Sequence, residues 1–134
     1  MNVLFVAGFS PIVPDLATSR PFYQEALGIA LESDDYPRTE HLAGVKHLGL
    51  WRLTDAANSC FGTESWPDDT PVPQATIEFE VADVAAAAAE MEAAGYTLIH
   101  GARTEPWGQT VARLLSPEGL LIGLSSTPWL QLPT

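Results

Sequence analysis

The chain of 134 residues contains a single cysteine, Cys60, so no disulfide can form within it. Small secreted domains usually depend on several disulfides, because their cores are too small to be stable alone. We therefore expect a protein of the reducing cytoplasm. Because no histidine stands at a recognisable catalytic spacing from Cys60, we interpret its thiol as inert rather than nucleophilic.

Basic residues are also scarce. Six lysines and arginines stand against 17 aspartates and glutamates, which gives a formal net charge of -11. Such a surface repels a phosphate backbone, so we predict no nucleic-acid partner. A neutral or cationic small molecule fits better as a partner, although the acidity can also serve solubility alone.

Long apolar runs are absent as well. No stretch approaches the roughly 20 residues of a membrane span, and no basic region precedes the apolar residues near the start of the chain. We expect neither a membrane segment nor a targeting segment. With hydrophobic residues at 46%, the chain can bury one continuous core, and we predict a single domain over residues 1–134.

The predicted elements repeat in the same order along the chain. Module 1, about residues 1–63, has a strand at 3–13, a helix at 15–27 and strands at 29–33, 44–53 and 59–62. Module 2, about residues 74–127, has a strand at 75–81, a helix at 83–95 and strands at 96–100, 110–115 and 120–126. A linker at about 64–73 joins the modules, and residues 128–134 form a tail. Since each module alone leaves a sheet face open, the repeat predicts that the two pair.

Several short motifs recur in the order found in one known superfamily. The segment from Val13 to Leu16 is followed by Phe22-Tyr23 and Leu27-Gly28; later come Pro106-Trp107-Gly108 and Ser116 to Gly119. This arrangement resembles the vicinal oxygen chelate superfamily of glyoxalases, bleomycin-resistance proteins and dioxygenases, and is closest to the bleomycin-resistance type. The resemblance implies an α+β fold, in which two βαβββ modules form an eight-stranded cupped mixed sheet with helices on the outer face. It also implies a homodimer.

The resemblance places metal ligands at positions where this chain has none. In the superfamily they lie seven residues before the aspartate that opens each helix and in the final strand of each module. Three of these four positions hold Gly8, Thr76 and Gly123, while the fourth, in the final strand of module 1, has no clear counterpart in the sequence. Glycine has no side chain, and a lone threonine hydroxyl binds a divalent cation poorly, so we predict no metal and no cofactor. A site made of His41, His47 and Glu78 is conceivable, but no spacing supports it; His41 and His100 look like ordinary polar residues.

One strand is expected to carry polar side chains into the cup. If Thr76 faces the cavity, strand alternation puts Glu78 and Glu80 on the same face. Buried carboxylates need a partner, which is either a base such as Arg113, solvent or a cationic ligand. Glu78 and Glu80 are also the candidate general bases if the protein is an enzyme.

Aromatic residues complete the candidate ligand site. Trp51, Trp66 and Trp107 offer flat apolar faces, and core or dimer-interface packing explains them equally well. His47 would lie on the third strand, on the face that carries Trp51, as a hydrogen-bonded wall residue. Trp129 is expected to pin the tail or a partner subunit.

The resemblance to bleomycin-resistance proteins, together with the missing metal ligands, favours a binding protein that sequesters an aromatic or cationic compound in the cup without a metal. The alternative is a lyase, isomerase or dioxygenase-like enzyme acting on a small carbonyl or aromatic substrate, with a divalent metal or a carboxylate base. The predicted ligand-binding residues are His47, Trp51, Trp66, Thr76, Glu78, Glu80, Trp107 and Arg113.

Overall fold

The computed structural model describes residues 1–131, which form an open sheet of eight strands with three α-helices. The strands are β1 (Val3–Val13), β2 (Arg38–Thr39), β3 (Leu48–Gly49), β4 (Trp51–Arg52), β5 (Ala75–Val81), β6 (His100–Thr104), β7 (Thr110–Leu115) and β8 (Leu121–Ser126). The helices are α1 (Leu16–Pro21), which continues as a π-helical turn (Phe22–Ala26), α2 (Leu53–Phe61) and α3 (Val84–Ala93); a 3-10 turn (Pro128–Leu130) follows β8. This architecture confirms the predicted α+β fold with a mixed sheet.

The two modules meet along β1 and β5, which pair antiparallel at the centre of the sheet. On one side β5 pairs parallel with β8, and β7 and β6 follow antiparallel. On the other side β3 and β4 pair parallel with β1, and β2 pairs with β3. One row of paired residues crosses four strands: Gly8 on β1, Glu78 on β5, Gly123 on β8 and Arg113 on β7.

Both predicted aspartate caps are present. The Asp15 carboxylate accepts a hydrogen bond from the backbone N–H of Ala17, and Asp83 accepts one from Ala86. Pro21 does not disturb the residues before it: α1 is regular up to Pro21 and widens into the π-helical turn afterwards, where the Leu27 N–H bonds to the Phe22 carbonyl five residues back.

The second half of module 1 differs from the prediction. The strands predicted at 29–33 and 59–62 do not form, and only two-residue strands occur at 38–39, 48–49 and 51–52. Residues 53–61 form α2 instead, because Leu53, Ala56, Ala57 and Cys60 recur at helical spacing and bury one face. Gly62, with a φ of 76°, ends the helix in the left-handed conformation. In module 2, β6 begins at His100, four residues later than predicted.

The helices pack on opposite faces of the sheet. On the convex face, Val84, Ala87 and Ala88 of α3 pack against Val81, Ala112, Leu114 and Leu124. On the concave face, α2 packs against Ile12 and Leu121, and so covers one end of the cup. Within residues 1–131, no helix has the length and apolar character needed to cross a membrane.

Candidate functional site

The concave face of the sheet encloses a cavity of about 880 Å³, which we call the central cavity. Its floor consists of side chains from β1, β5 and β7. Its walls come from α2, from residues 35–40 and 103–109, and from the 3-10 turn after β8. A volume of this size fits a drug-sized molecule.

Arg113 lies on the floor and is almost fully buried, with 1% of its surface exposed. Its Nη1 atom is 2.8 Å from Oε1 of Glu105 and 2.9 Å from the Ser59 hydroxyl. Its guanidinium carbon lies 5.3 Å from the centre of the Trp51 ring, which is a cation–π distance. The ion pair with Glu105 compensates the buried charge, and the interactions of Nη1 fix the direction of the side chain.

Glu78 and Thr76 extend the floor along β5. Oε1 of Glu78 accepts a hydrogen bond from the Gln109 side-chain amide at 3.0 Å, while its Oε2 stays 4.0 Å from Nη2 of Arg113. The Thr76 hydroxyl is buried and has no hydrogen-bond partner among the described residues. The predicted contact between Glu78 and Arg113 is therefore a near approach rather than a closed ion pair.

Glu80 does not line the cavity, although strand alternation puts it on the same face. Its carboxylate is fully buried and accepts hydrogen bonds from the Ser125 hydroxyl, the Thr127 N–H and the Gln131 side chain. The segment after β8 thus seals Glu80 away from a ligand. Of the two acids expected in the cup, only Glu78 is there.

A chain of hydrogen bonds lines the wall next to β1. The Tyr36 hydroxyl lies 2.7 Å from Nε2 of His47 and 3.3 Å from the Ser10 hydroxyl, and Nδ1 of His47 lies 3.4 Å from Oε1 of Glu40. Burial raises the pKa of Tyr36 to about 12, so this hydroxyl keeps its proton at neutral pH and remains hydrogen-bonded to Nε2 of His47. A Cβ atom at Gly49 would overlap the Tyr36 hydroxyl, so glycine makes the room for it.

The tryptophans divide between the cavity and the core. Trp51, Trp107 and Trp129 line the cavity, and Trp107 is 51% exposed at its rim. Trp66 packs against Phe61 in the core beneath α2, and its ring N–H donates to the backbone carbonyls of residues 70 and 71. Trp66 is therefore a core residue and not a ligand-binding one, whereas Trp129 lies at the cavity wall.

Two further side chains near the site have shifted pKa values. Burial raises the pKa of the Cys60 thiol to about 11, so the thiolate is scarce at neutral pH. Burial also lowers the pKa of His100, whose Nδ1–H donates to the Gly101 carbonyl while Nε2 faces Nη1 of Arg113 at 3.3 Å. His100 is therefore a neutral neighbour of the cavity floor.

Most of the chain's few basic residues gather at the central cavity. Four of the six lie on its lining, namely Arg38, Arg52, Arg103 and Arg113. Five acids lie there too: Asp35, Glu40, Asp55, Glu78 and Glu105. Counting arginines and carboxylates alone, four positive and five negative charges give the lining -1, whereas the whole chain carries -11. The cavity is thus far less acidic than the surface around it.

The side chains of this site do not fit the metal centre that the superfamily resemblance implies. Gly8 and Gly123 flank Glu78 in the row across the sheet, and Thr76 lies on the same strand as Glu78. Within residues 1–131, no three His, Cys, Asp or Glu side chains are placed to hold a metal ion together, and this includes His41, His47 and Glu78. Glu78 instead bonds to an amide and faces an arginine.

Residues 9–124 match the Glyoxalase/Bleomycin resistance protein/Dioxygenase superfamily. The chain belongs to this superfamily. Among curated proteins, none matches the chain. A superfamily member from Vibrio splendidus 12B01 has 13% sequence identity and a TM-score of 0.58, and the match covers 92% of this chain and 100% of that one.

Methylmalonyl-CoA epimerases are also similar in structure. The enzyme from Streptomyces coelicolor has 17% identity and a TM-score of 0.61, with 98% of this chain and 100% of that one covered. The enzyme from Mycobacterium tuberculosis has 17% identity and a TM-score of 0.58, with coverages of 96% and 91%. At these identities the likeness establishes the superfamily fold and nothing finer.

The polar residues of the central cavity that the sequence did not predict include Ser10, Tyr36, Ser59, Glu105 and Gln109. A signal existed for three of them. Ser10 follows Gly8 by two positions on one strand, and Glu105 and Gln109 flank the Pro106 to Gly108 motif. Tyr36 lies in a polar loop for which the sequence pattern predicts neither helix nor strand, and nothing in the sequence indicates that it contacts His47.

Proposed function

We propose that this protein binds a planar aromatic small molecule in the central cavity, without a metal ion, and so sequesters it. The observation that carries the proposal is a drug-sized cavity with three tryptophans on its wall and no side-chain group suited to a divalent metal among residues 1–131.

The tryptophans support an aromatic ligand. Trp107 and Trp129 are 51% and 42% exposed, although each could bury a large apolar surface. A flat ring placed against Trp51, Trp107 or Trp129 would remove that surface from water and gain stacking interactions.

A cationic ligand has less support than the sequence suggested. The Glu80 carboxylate accepts its hydrogen bonds outside the cavity. The Glu78 carboxylate accepts a hydrogen bond from Gln109 and lies close to the positive charge of Arg113. The net charge of -11 still attracts cations to the protein, so a cationic aromatic compound belongs among those tested.

A metal-free isomerase or lyase is the second candidate function. The Ser10, Tyr36, His47 and Glu40 chain favours it, because a hydroxyl bonded to a histidine can pass a proton to or from a carbonyl substrate. Conversion of a bound compound that disappears in Tyr36→Phe, while binding persists, would favour this candidate over sequestration.

The test of sequestration is a titration of chelator-treated protein with aromatic compounds, aromatic antibiotics included, followed by tryptophan fluorescence. We expect saturable quenching, and a loss of about fivefold in affinity for Trp107→Ala, which corresponds to about 1 kcal/mol of aromatic contact. Phe22→Ala is the matched control, because Phe22 is 52% exposed and lies outside the cavity. A stoichiometric metal that proves necessary for binding would overturn the proposal.

We also propose that the protein forms a homodimer through the outer edge of β1. One edge of β1 pairs with β5, and the opposite edge pairs with β3 and β4 only from Phe9 onward. Over residues 3–8, no strand among the described residues pairs with this second edge, and Val3, Leu4 and Val6 are 48%, 46% and 46% exposed there. An apolar, unpaired strand edge favours association. Light scattering should give twice the chain mass for the native protein and the single mass for Val6→Lys; a native monomer would contradict the dimer.

A cytoplasmic location stays a prediction.

A further inference from the structure

We propose that Thr76, Glu78 and Arg113 form a subsite on the cavity floor for a primary carboxamide carried by the aromatic ligand. This inference rests on the proposed binding function and goes further by naming the polar group of the ligand.

Arg113 supplies hydrogen-bond donors that the protein leaves unused. The Nη1 atom bonds to Glu105 and Ser59, but Nε and Nη2 are buried and have no partner among the described residues. Buried polar groups are almost always paired, because an unpaired donor loses its water and gains nothing in return. An acceptor oxygen from a ligand would complete the coordination of this guanidinium.

Thr76 provides a second polar group on the cavity floor that has no partner among the described residues. Its hydroxyl is buried without a partner, on the strand and face that carry Glu78. Thr76, Glu78 and Arg113 all line the central cavity, where Oε2 of Glu78 lies 4.0 Å from Nη2 of Arg113. The hydroxyl can donate to the same ligand oxygen.

Glu78 decides which kind of acceptor fits. No protein donor among the described residues is hydrogen-bonded to its Oε2 atom, which lies 4.0 Å from Nη2 of Arg113, while Oε1 accepts a hydrogen bond from Gln109. A ligand carboxylate would meet a like charge there, and an ammonium group would face the unpaired donors of Arg113. A primary carboxamide satisfies both sides, because its carbonyl accepts from Arg113 and Thr76 while its N–H donates to Glu78.

The experiment compares four naphthalene compounds that share one ring and one attachment position: the carboxamide, the methyl ketone, the carboxylate and the aminomethyl cation. Affinities are measured by calorimetry on the full chain. We expect the carboxamide to bind tightest and the amine at least tenfold more weakly. Tightest binding by the amine or the carboxylate would overturn the subsite and leave the binding function standing. Absence of binding by all four would overturn both.

Thr76→Val and its control Thr110→Val test the subsite without any substitution of the buried Arg113. Thr76→Val removes the hydroxyl at nearly constant shape, and we expect it to weaken carboxamide and ketone binding by roughly five- to tenfold while leaving the amine unchanged. Thr110→Val is the matched control, because Thr110 lies outside the cavity and its hydroxyl is hydrogen-bonded to the Thr104 hydroxyl. Equal effects of Thr76→Val on the carboxamide and the amine would contradict the proposal, even if Arg113 variants fail to fold.

Discussion

Replacing Gly49 by alanine probes the packing on which the cavity wall depends. A Cβ atom at this position would stand 2.5 Å from Cζ and 2.7 Å from Cε1 of Tyr36, which is too close for any real contact. The ring would have to leave its slot, and its hydrogen bonds to His47 and Ser10 would break. Two hydrogen bonds at about 1 kcal/mol each, together with local overpacking, predict a loss of about 2–4 kcal/mol in the free energy of unfolding.

Urea denaturation followed by tryptophan fluorescence measures this loss, and Gly8→Ala is its matched control. Gly8 lies on β1 and Gly49 on the neighbouring β3, but a Cβ at Gly8 would stay at 3.4–3.6 Å from His47, an ordinary contact distance. We expect Gly8→Ala to change stability by less than about 1 kcal/mol. In a Tyr36→Ala background the cost of Gly49→Ala should largely vanish. Equal stability of the two alanine variants would refute the reasoning.

Three further predictions concern single groups. Asp83→Ala removes the N-cap of α3 and should cost about 1 kcal/mol in thermal or urea denaturation; an unchanged midpoint would show that the cap is not needed. Because burial raises the pKa of Tyr36 from 10.0 to about 12, its protonated form stabilises the fold fully below pH 10, and that stability should fall as the pH rises towards 12. Tyr36→Phe should abolish this fall between pH 10 and 12, and a persisting fall would assign it to other groups. Cys60, with a pKa of about 11, should react with a thiol reagent slowly at neutral pH and quickly once urea unfolds the chain; fast reaction of the folded protein would contradict its burial.

Module 2 was predictable because its elements are long enough to show their periods. The alternation along β5, the cap at Asp83 and the turn from Ser116 to Gly119 each depend on neighbours in sequence. The second half of module 1 was not, because two-residue strands contain no period at all. Helix α2 could have been found, since Leu53, Ala56 and Cys60 already lie at helical spacing.

The site was harder to predict than the fold, because its decisive contacts join distant parts of the chain. Arg113 pairs with Glu105 and Ser59, and residues 59 and 113 are 54 positions apart in the sequence. Glu80 was expected in the cup by alternation, which correctly gives its face but cannot reveal that the segment after β8 covers it. Alternation determines the direction of a side chain, whereas burial depends on the chain that crosses above it.

In the row of Gly8, Glu78, Gly123 and Arg113 on the cavity floor, the side chain of Glu78 fills the space beside Gly123. A Cβ at Gly123 would already stand 2.9 Å from Cγ of Glu78, so a ligating side chain there would evict Glu78. A ligating side chain at position 123 would therefore have to take the place that Glu78 now occupies. Because Glu78 bonds to Gln109 and faces Arg113, a single substitution at Gly123 would disturb both of these side chains without touching either one.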